Sequence, residues 1–328
     1  MNFASTIYKR SLSSGKVQRR AWRKLRKLST RLFSDPDCEM EIHGQRLTIP
    51  MSHPLPEYMS NFPLYDRLPS RISKFVHRSS NLNCIDVGAN VGDTIAAFYQ
   101  QETDVFFAVE PKPSFSKYLH ANWGSNPNVT VVEEICSSVS ETALCKIDEK
   151  NGTASIAASD DGTAMTRRTL DEMVADNQTA SQCNVLKVDT DGHDFEVLAG
   201  AKNLIATNQP TVLFECEMFS NQHVHDCFAI MKFFAASGYD QYMLYDNFGY
   251  LMGRYPLDDL NALQNLFFYE LTSPFHYFDI LVMKPNEIRE FYECESEFFS
   301  ALAPDNRRDT AREVASFVKS TAAIKRAA

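Results

Sequence analysis

Short apolar runs alternate with longer amphipathic segments over residues 82–300 of this 328-residue chain. A short apolar run bounded by turn residues indicates a buried strand, whereas apolar residues three and four positions apart indicate a helix. The alternation therefore predicts βαβ units and a mostly parallel, seven-stranded sheet with helices on both faces. The predicted strands are 83–88, 104–109, 129–135, 184–189, 211–216, 240–245 and 277–283. The predicted helices are 92–101, 114–123, 169–176, 194–207, 222–237 and 287–300.

Both ends of the chain depart from this alternation. We divide the chain into a basic amphipathic arm over 1–34, an N-terminal cap over 35–80, a main domain over 81–285 and a C-terminal helical tail over 286–328. The cap contains SHPLPEYMSNFPLYDRLP, whose prolines exclude a long regular helix. Within the main domain, the aromatic segment 246–276 has no place in the alternation, so we expect an insertion near the mouth of a site.

The arm carries ten Lys or Arg residues and no Asp or Glu. Its stretch VQRRAWRKLRKLSTRLF at 17–33 places apolar residues on one helical stripe and basic residues on the remaining face. This pattern is typical of a helix on an anionic membrane surface. An organelle transit peptide and a disordered basic tail fit the composition as well. We expect a cytoplasmic protein, and the first interpretation adds peripheral membrane contact through residues 1–34.

The rest of the chain is acidic, with 23 basic and 42 acidic residues over 35–328. An acidic surface disfavours nucleic acid as a partner. The eight cysteines include no CxxC pair, which disfavours a zinc site or a disulfide framework.

The first predicted strand opens into a glycine turn, IDVGANVGD at 85–93. Ligands of open parallel sheets bind at such carboxyl ends. Gly88 and Gly92 permit positive φ values and let the backbone approach a ligand closely, while the N–H groups of the next helix favour a polar or anionic group. The spacing is not G-x-G-x-x-G, so the dinucleotide fingerprint is absent. A tight turn without a ligand is the alternative.

Two neighbouring strand ends carry carboxylates. Glu110 follows the second strand, and Pro111 ends that strand. A carboxylate about twenty residues after a glycine turn is placed to accept the hydroxyls of a nucleoside ribose. At the third strand end, Glu134 and Ile135 are candidates to border an adenine ring.

The segments IDVGANVGDT, AVEPKPSFSKYL, RRTLDEMV, VLKVDTDGHDFEVLAGA and PTVLFECE occur in this order and resemble the FkbM-type S-adenosylmethionine-dependent methyltransferases. The resemblance covers about residues 82–217. It implies a Rossmann-like class I methyltransferase fold with an N-terminal extension, and S-adenosyl-L-methionine as cofactor. The predicted cofactor-binding residues are Asp86, Gly88, Ala89, Asn90, Gly92, Asp93, Thr94, Glu110, Pro111, Glu134 and Ile135. The family's D-x-E-G-x-E is Asp189-Thr190-Asp191-Gly192-His193-Asp194 here, so both Glu positions are shortened to Asp.

Methyl transfer to oxygen needs a base or a metal ion near the acceptor hydroxyl. Asp189 or His193 is the candidate base, and Lys187 lies on the same strand side as Asp189, where an ion pair would place the carboxylate. In a second interpretation, Asp189 and Asp191 with Glu215 bind Mg²⁺. The predicted substrate-binding residues are Asp191, Asp194, Glu215 and Glu217. Helix capping is the alternative role of Asp191 and Asp194.

The acidic site and the aromatic segment favour a polyhydroxylated acceptor. The sequence therefore predicts an O-methyltransferase for a saccharide or a lipid-linked glycan of surface polysaccharide or glycolipid biosynthesis. Two alternatives stay open, a nicotinamide-dependent oxidoreductase on a similar sheet and a catalytically idle binding module.

Overall fold

The structure is a computed structural model that describes residues 3–13, 15–150, 153–158, 163–274 and 277–324. A few residues of the predicted arm, aromatic segment and tail lie outside these ranges, namely 1, 2, 14, 275, 276 and 325–328.

The N-terminal eighty residues fold as helices around one hairpin. Their elements are α1 (Phe3–Ser13), α2 (Lys16–Leu32), β1 (Asp37–Ile42), β2 (Gln45–Pro50), α3 (Leu55–Asn61) and α4 (Leu68–Val76). The amphipathic pattern at 17–33 corresponds to α2. Because α1 buries Ile7 and Tyr8 in the core, the arm is a folded part of the protein and not a disordered tail.

Most of the remaining strands and helices alternate as the apolar pattern predicts. Up to the middle of the domain they are β3 (Asn83–Val87), α5 (Asp93–Phe98), β4 (Val105–Val109), α6 (Pro113–Trp123), β5 (Val129–Val132), β6 (Ile135–Cys136), β7 (Glu141–Lys150), β8 (Thr153–Ala158), β9 (Thr163–Arg168) and α7 (Leu170–Ala175). After a short 3₁₀ turn follow β10 (Val185–Val188), α8 (Asp194–Ala199), α9 (Lys202–Asn208), β11 (Thr211–Cys216), α10 (Asn221–Ala236), β12 (Gln241–Asp246), β13 (Leu251–Pro256), α11 (Leu260–Thr272), β14 (Phe278–Val282), α12 (Pro285–Leu302) and α13 (Asp305–Ile324).

The central sheet has the strand order β13-β12-β14-β11-β10-β3-β4-β5. Strands β11, β10, β3, β4 and β5 pair in parallel, and β14 runs antiparallel to both β11 and β12. One apolar cluster packs α4, α5, α6 and α12 on one face, and a second packs α7 to α11 on the other. The predicted α/β fold with a mostly parallel sheet and helices on both faces is confirmed.

The sheet has eight strands in the described part of the chain, one more than predicted. The extra strand, β13, comes from the aromatic segment 246–276 and contains Gly253 and Pro256. These residues argue against a strand in the interior of a sheet, but an edge strand tolerates them because one side of its backbone needs no partner. The same segment continues as α11, which carries the apolar side chains Leu263 and Phe267 into the core.

Two further differences concern residues 135–208. Strands β6, β9, β7 and β8 form a separate four-stranded sheet that the sequence pattern did not predict. The helix predicted over 194–207 is two helices, α8 and α9, which meet at Gly200. A Cβ at Gly200 would lie 2.1 Å from the backbone oxygen of Ser137, so the break lets the chain pass close to the second sheet.

Candidate active site

A cavity of about 1220 Å³ opens at the carboxyl ends of β3, β4, β10 and β11. The parallel strands bring these four ends to one edge of the sheet, as expected for an open α/β fold. The cavity is larger than the roughly 300–1,000 Å³ typical of small-molecule sites, so it has room for two ligands side by side.

The glycine turn after β3 forms part of the cavity wall through Gly88, but its glycines have protein neighbours. A Cβ at Gly88 would lie 1.8 Å from the backbone oxygen of Asp189, and one at Gly92 would lie 2.4 Å from the Trp123 ring. Both residues have positive φ, +81° and +83°. Glycine is therefore required at these positions by the close approach of β10 and of Trp123, and the approach of a ligand to Gly88 stays a prediction. The Trp123 indole N–H donates to the Gly92 oxygen at 2.9 Å.

The other predicted residues of this turn divide into two groups. Asn90, Asp93 and Thr94 line the cavity, whereas Ala89 and Asp86 are fully buried behind it. Burial, together with the nearby Asp66, raises the pKa of Asp93 to about 8.

Glu110 is fixed at the cavity wall by two backbone donors. Its Oε2 accepts from the Asn90 N–H at 2.9 Å, and its Oε1 accepts from the Lys112 N–H at 3.0 Å. The residue is only 5% exposed, and burial raises its pKa to about 7. Each carboxylate oxygen keeps a further lone pair for a hydroxyl of a ligand.

The third strand end separates the two residues predicted there. Ile135 lines the cavity, as does Pro111 after β4. Glu134 is absent from the lining and instead forms an ion pair with Arg168, with 3.1 Å between Oε2 and Nη1. The sequence could not indicate this pairing because Arg168 is contributed by β9 of the unpredicted second sheet.

Lys187 lies beneath the glycine turn, between two carboxylates. Its Nζ is 3.1 Å from Asp86 Oδ1 and 3.3 Å from Asp189 Oδ2, and it donates to the Gly88 oxygen at 3.1 Å. Burial by itself would lower the pKa of Lys187, but Asp189, Asp86 and Asp93 together raise it well above its usual value. Lys187 therefore stays charged and connects the ends of β3 and β10.

The acidic stretch after β10 contributes Asp189, Asp191 and His193 to the cavity lining. The Asp189 carboxylate is half exposed, so it reaches the cavity while held by Lys187. Asp194 is turned away from the cavity and accepts from the Thr190 N–H at 3.4 Å and hydroxyl at 3.2 Å. The predicted substrate contact of Asp194 is thus replaced by a local role at the start of α8.

Glu215 and Glu217 line the cavity at the end of β11, together with Asp279, which the sequence analysis missed. Glu215 and Asp279 are register partners of the antiparallel pair β11 and β14. Burial, followed by the charge of Asp189, raises the pKa of both carboxyls well above the usual value. The raised pKa favours the protonated form of each carboxyl, which offers an O–H donor as well as an acceptor. The sequence feature that could have indicated Asp279 is the position of its carboxylate inside the apolar run YFDILVM.

Metal-ligand geometry is not found in the described part of the chain, where no three His, Cys, Asp or Glu side chains lie close enough to hold an ion. The interpretation with Mg²⁺ on Asp189, Asp191 and Glu215 therefore has no structural support.

The predicted cap forms a wall of the cavity, which the sequence analysis did not anticipate. His53 lines it with its Nε2 3.3 Å from Asn90 Oδ1, and burial lowers its pKa, so the imidazole is neutral. Phe62 contacts Phe248 of the aromatic segment with ring centroids 4.5 Å apart. Phe62 of the cap and Phe248 of the aromatic segment thus meet in the cavity lining.

The geometry at the strand ends agrees with a comparison to protein families. Residues 86–241, from β3 to the first residue of β12, match the family model of the methyltransferase FkbM domain. The resemblance found in the sequence is confirmed over these residues, and the cavity lies at the carboxyl edge of the matched region.

Solved structures that match the chain include several methyltransferases. A methyltransferase FkbM from Methylobacillus flagellatus KT is 14% identical with a TM-score of 0.36, and the match covers 73% of this chain and 53% of that one, about half its length. A precorrin-6y C5,15-methyltransferase from Geobacter metallireducens GS-15 is 12% identical with a TM-score of 0.37, covering 66% and 87%. The plantazolicin methyltransferase BpumL, in complex with SAH, is 10% identical with a TM-score of 0.34, covering 82% and 100%. A search of curated proteins found none that matches the chain.

Proposed function

We propose that this protein is an S-adenosylmethionine-dependent O-methyltransferase that acts on a hydroxyl of a saccharide or a lipid-linked glycan. The observation that supports the proposal is the match of residues 86–241 to the FkbM methyltransferase domain, together with a large cavity at its strand ends that has the carboxylate of Glu110 in its wall.

The charge of the cavity fits S-adenosylmethionine. Ten carboxylate side chains and three Lys or Arg side chains line its described part. The cofactor has a sulfonium and an ammonium group against a single carboxylate, so it enters an acidic cavity with a favourable charge. Asn90, Asp93 and Thr94 would hold its methionine end, Glu110 its ribose hydroxyls, and Ile135 would border the adenine. The cofactor supplies the activated methyl group.

The protein's own task is to place the acceptor oxygen and to remove its proton. Asp189 is the base that the geometry favours, because its carboxylate reaches the cavity and Lys187 fixes its position at 3.3 Å. His193 also lines the cavity and is 31% exposed, which makes it the second candidate.

A saccharide acceptor suits the remaining surface of the cavity. Glu215 and Asp279 are register partners, and burial raises the pKa of both carboxyls, which favours the protonated form that donates to and accepts from hydroxyl groups. Aromatic rings at the mouth, Tyr58, Phe62 and Phe248, offer apolar faces of the kind that pack on sugar rings.

The function is tested by mass spectrometry of glycans from cells with and without the gene, and by transfer of an isotope-labelled methyl group from S-adenosylmethionine to the unmethylated glycans with purified protein. We expect a glycan that loses one methyl group without the gene and regains it in vitro. Transfer of the label to proteins or nucleic acids, or no transfer to any glycan, would contradict the proposed acceptor.

Substitution of Glu110 by glutamine should weaken binding of S-adenosylmethionine about tenfold to a hundredfold, because a charged hydrogen bond contributes about 1–3 kcal/mol. The shape of the side chain is kept, but one carboxylate oxygen becomes an NH₂ group that cannot accept from the Asn90 or Lys112 N–H, so the loss reports the charge together with that hydrogen bond. Isothermal titration calorimetry measures the affinity. Glu134→Gln is the matched control, since its carboxylate pairs with Arg168 outside the cavity lining. Equal losses of affinity in the two variants would contradict a role of Glu110 in cofactor binding.

A further inference from the structure

Helices α1 and α2 form a helical hairpin, the α1–α2 hairpin, that packs on the rest of the protein. One side of the hairpin is buried by this packing, and the opposite side faces outward. Tyr8 of α1 is fully buried, and its hydroxyl donates to the His53 backbone oxygen. Arg26 of α2 lies over the Tyr8 ring at 3.8 Å, and its Nε donates to the Met51 oxygen at 2.9 Å. Trp22 and Leu25 pack against the core from the same side of α2.

The opposite side of α2 is exposed along its whole length. It consists of Lys16, Val17, Arg20, Ala21, Lys24, Lys27, Leu28, Arg31 and Leu32. At 3.6 residues per turn, these residues fall within one half of the helix circumference. The five basic residues occupy one part of this half, and the four apolar residues lie beside them, toward the body. In the described part of the chain, none of the five has an acidic partner.

Large apolar side chains extend this surface at one end of the hairpin. Phe3 is 72% exposed, Leu32 is 65% exposed and Phe33 is 64% exposed. Phe3 and Phe33 border an apolar groove of about 370 Å³ whose floor includes Ile7 and Met51. Exposed side chains of this size, next to one another, are unusual on a surface that faces only water.

The hairpin and the body have opposite charges. The first 34 residues contain ten basic residues and no Asp or Glu. The remaining residues carry 42 acidic and 23 basic side chains. An anionic surface therefore attracts the hairpin and repels the body, which would orient the protein on it.

We propose that the α1–α2 hairpin docks on an anionic lipid bilayer. The five basic residues of α2 lie among the headgroups, and Phe3, Leu32 and Phe33 enter the interface beneath them. Binding is peripheral, because no helix in the described ranges is long and apolar enough to cross a bilayer. Lipid fits this surface better than nucleic acid does, because phosphate contacts alone would leave the exposed apolar side chains without a partner.

The test uses the full-length protein and vesicles of phosphatidylcholine with or without phosphatidylglycerol. We expect binding to the anionic vesicles only, weakened by added salt. Changing Arg20, Lys24, Lys27 and Arg31 together to glutamine should lower this affinity roughly a hundredfold or more, at about 1 kcal/mol per basic residue. The control variant changes four exposed lysines of the body, Lys74, Lys117, Lys202 and Lys232, and should bind as the wild type does.

A second variant tests the insertion of apolar side chains into the bilayer separately from the attraction between charges. Leu32→Ser with Phe33→Ser keeps every charge and should still weaken binding about tenfold or more through the lost apolar burial. Unchanged affinity of the four-glutamine variant, equal binding to neutral vesicles, or no binding by the wild type would overturn the proposal. Light scattering without vesicles tests a second copy of the chain as the occupant. A dimer that the four glutamines convert to a monomer would also overturn it.

Discussion

Replacing Gly88 by alanine should destabilise the protein by about 2–5 kcal/mol and abolish measurable cofactor binding. Its φ of +81° costs an L-residue about 1–2 kcal/mol, and overpacking adds about 1–3 kcal/mol. The added Cβ would lie 1.8 Å from the backbone oxygen of Asp189, which is held by the sheet and cannot rotate away. The ends of β3 and β10 would have to separate, and these ends carry both the glycine turn and the predicted base.

Chemical unfolding and calorimetry with S-adenosylmethionine measure the two effects. Gly44→Ala is a matched control, because Gly44 has a φ of +80° in the β1–β2 turn and no atom within 4 Å of the added Cβ. It should lose about 1–2 kcal/mol for the backbone conformation and bind the cofactor normally. Similar losses of stability and of cofactor affinity in the two variants would show that the contact with Asp189 is not the reason for the effect at Gly88.

Lys187→Met should destabilise the protein by about 3–5 kcal/mol, the usual effect of removing one partner of a buried ion pair. Asp86 is fully buried and lies 3.1 Å from the Lys187 ammonium, so the substitution leaves its carboxylate without a counter-charge. Asp189 loses its fixed position at the same time, and methyl transfer should fall even at temperatures where the variant is folded.

A double-mutant cycle identifies the cause of this loss. Asp86→Asn combined with Lys187→Met removes both charges, so the double variant should be more stable than Lys187→Met alone. Arg308→Met is the exposed control, because its partner Asp305 is 92% exposed, and it should change the unfolding free energy by less than about 1 kcal/mol. If the double variant is no more stable than the single one, the charge of Asp86 is not what Lys187 neutralises.

Local sequence was sufficient to predict the central architecture. Each of the seven predicted strands exists with bounds no more than three residues from the expected ones, because strands buried on both faces must be apolar throughout. The eighth, β13, was missed because an edge strand does not need that pattern. The order of strands and helices also placed Glu110, Asp189 and Glu215 at one edge of the sheet, which the structure brings to one cavity.

The sequence by itself determined the α/β order, the resemblance to the FkbM methyltransferases and the strand ends that form the site, since each follows from residues close together in the chain. Only the tertiary structure decided which side chains reach the cavity. An antiparallel strand places Asp279 in the cavity lining, and the cap places His53 there. Glu134 pairs with Arg168 and does not line the cavity. In the tertiary structure, Asp189 also packs beside Gly88, and Trp123 packs beside Gly92. These contacts join residues far apart in the chain, so packing in three dimensions selects them, and no local pattern encodes them.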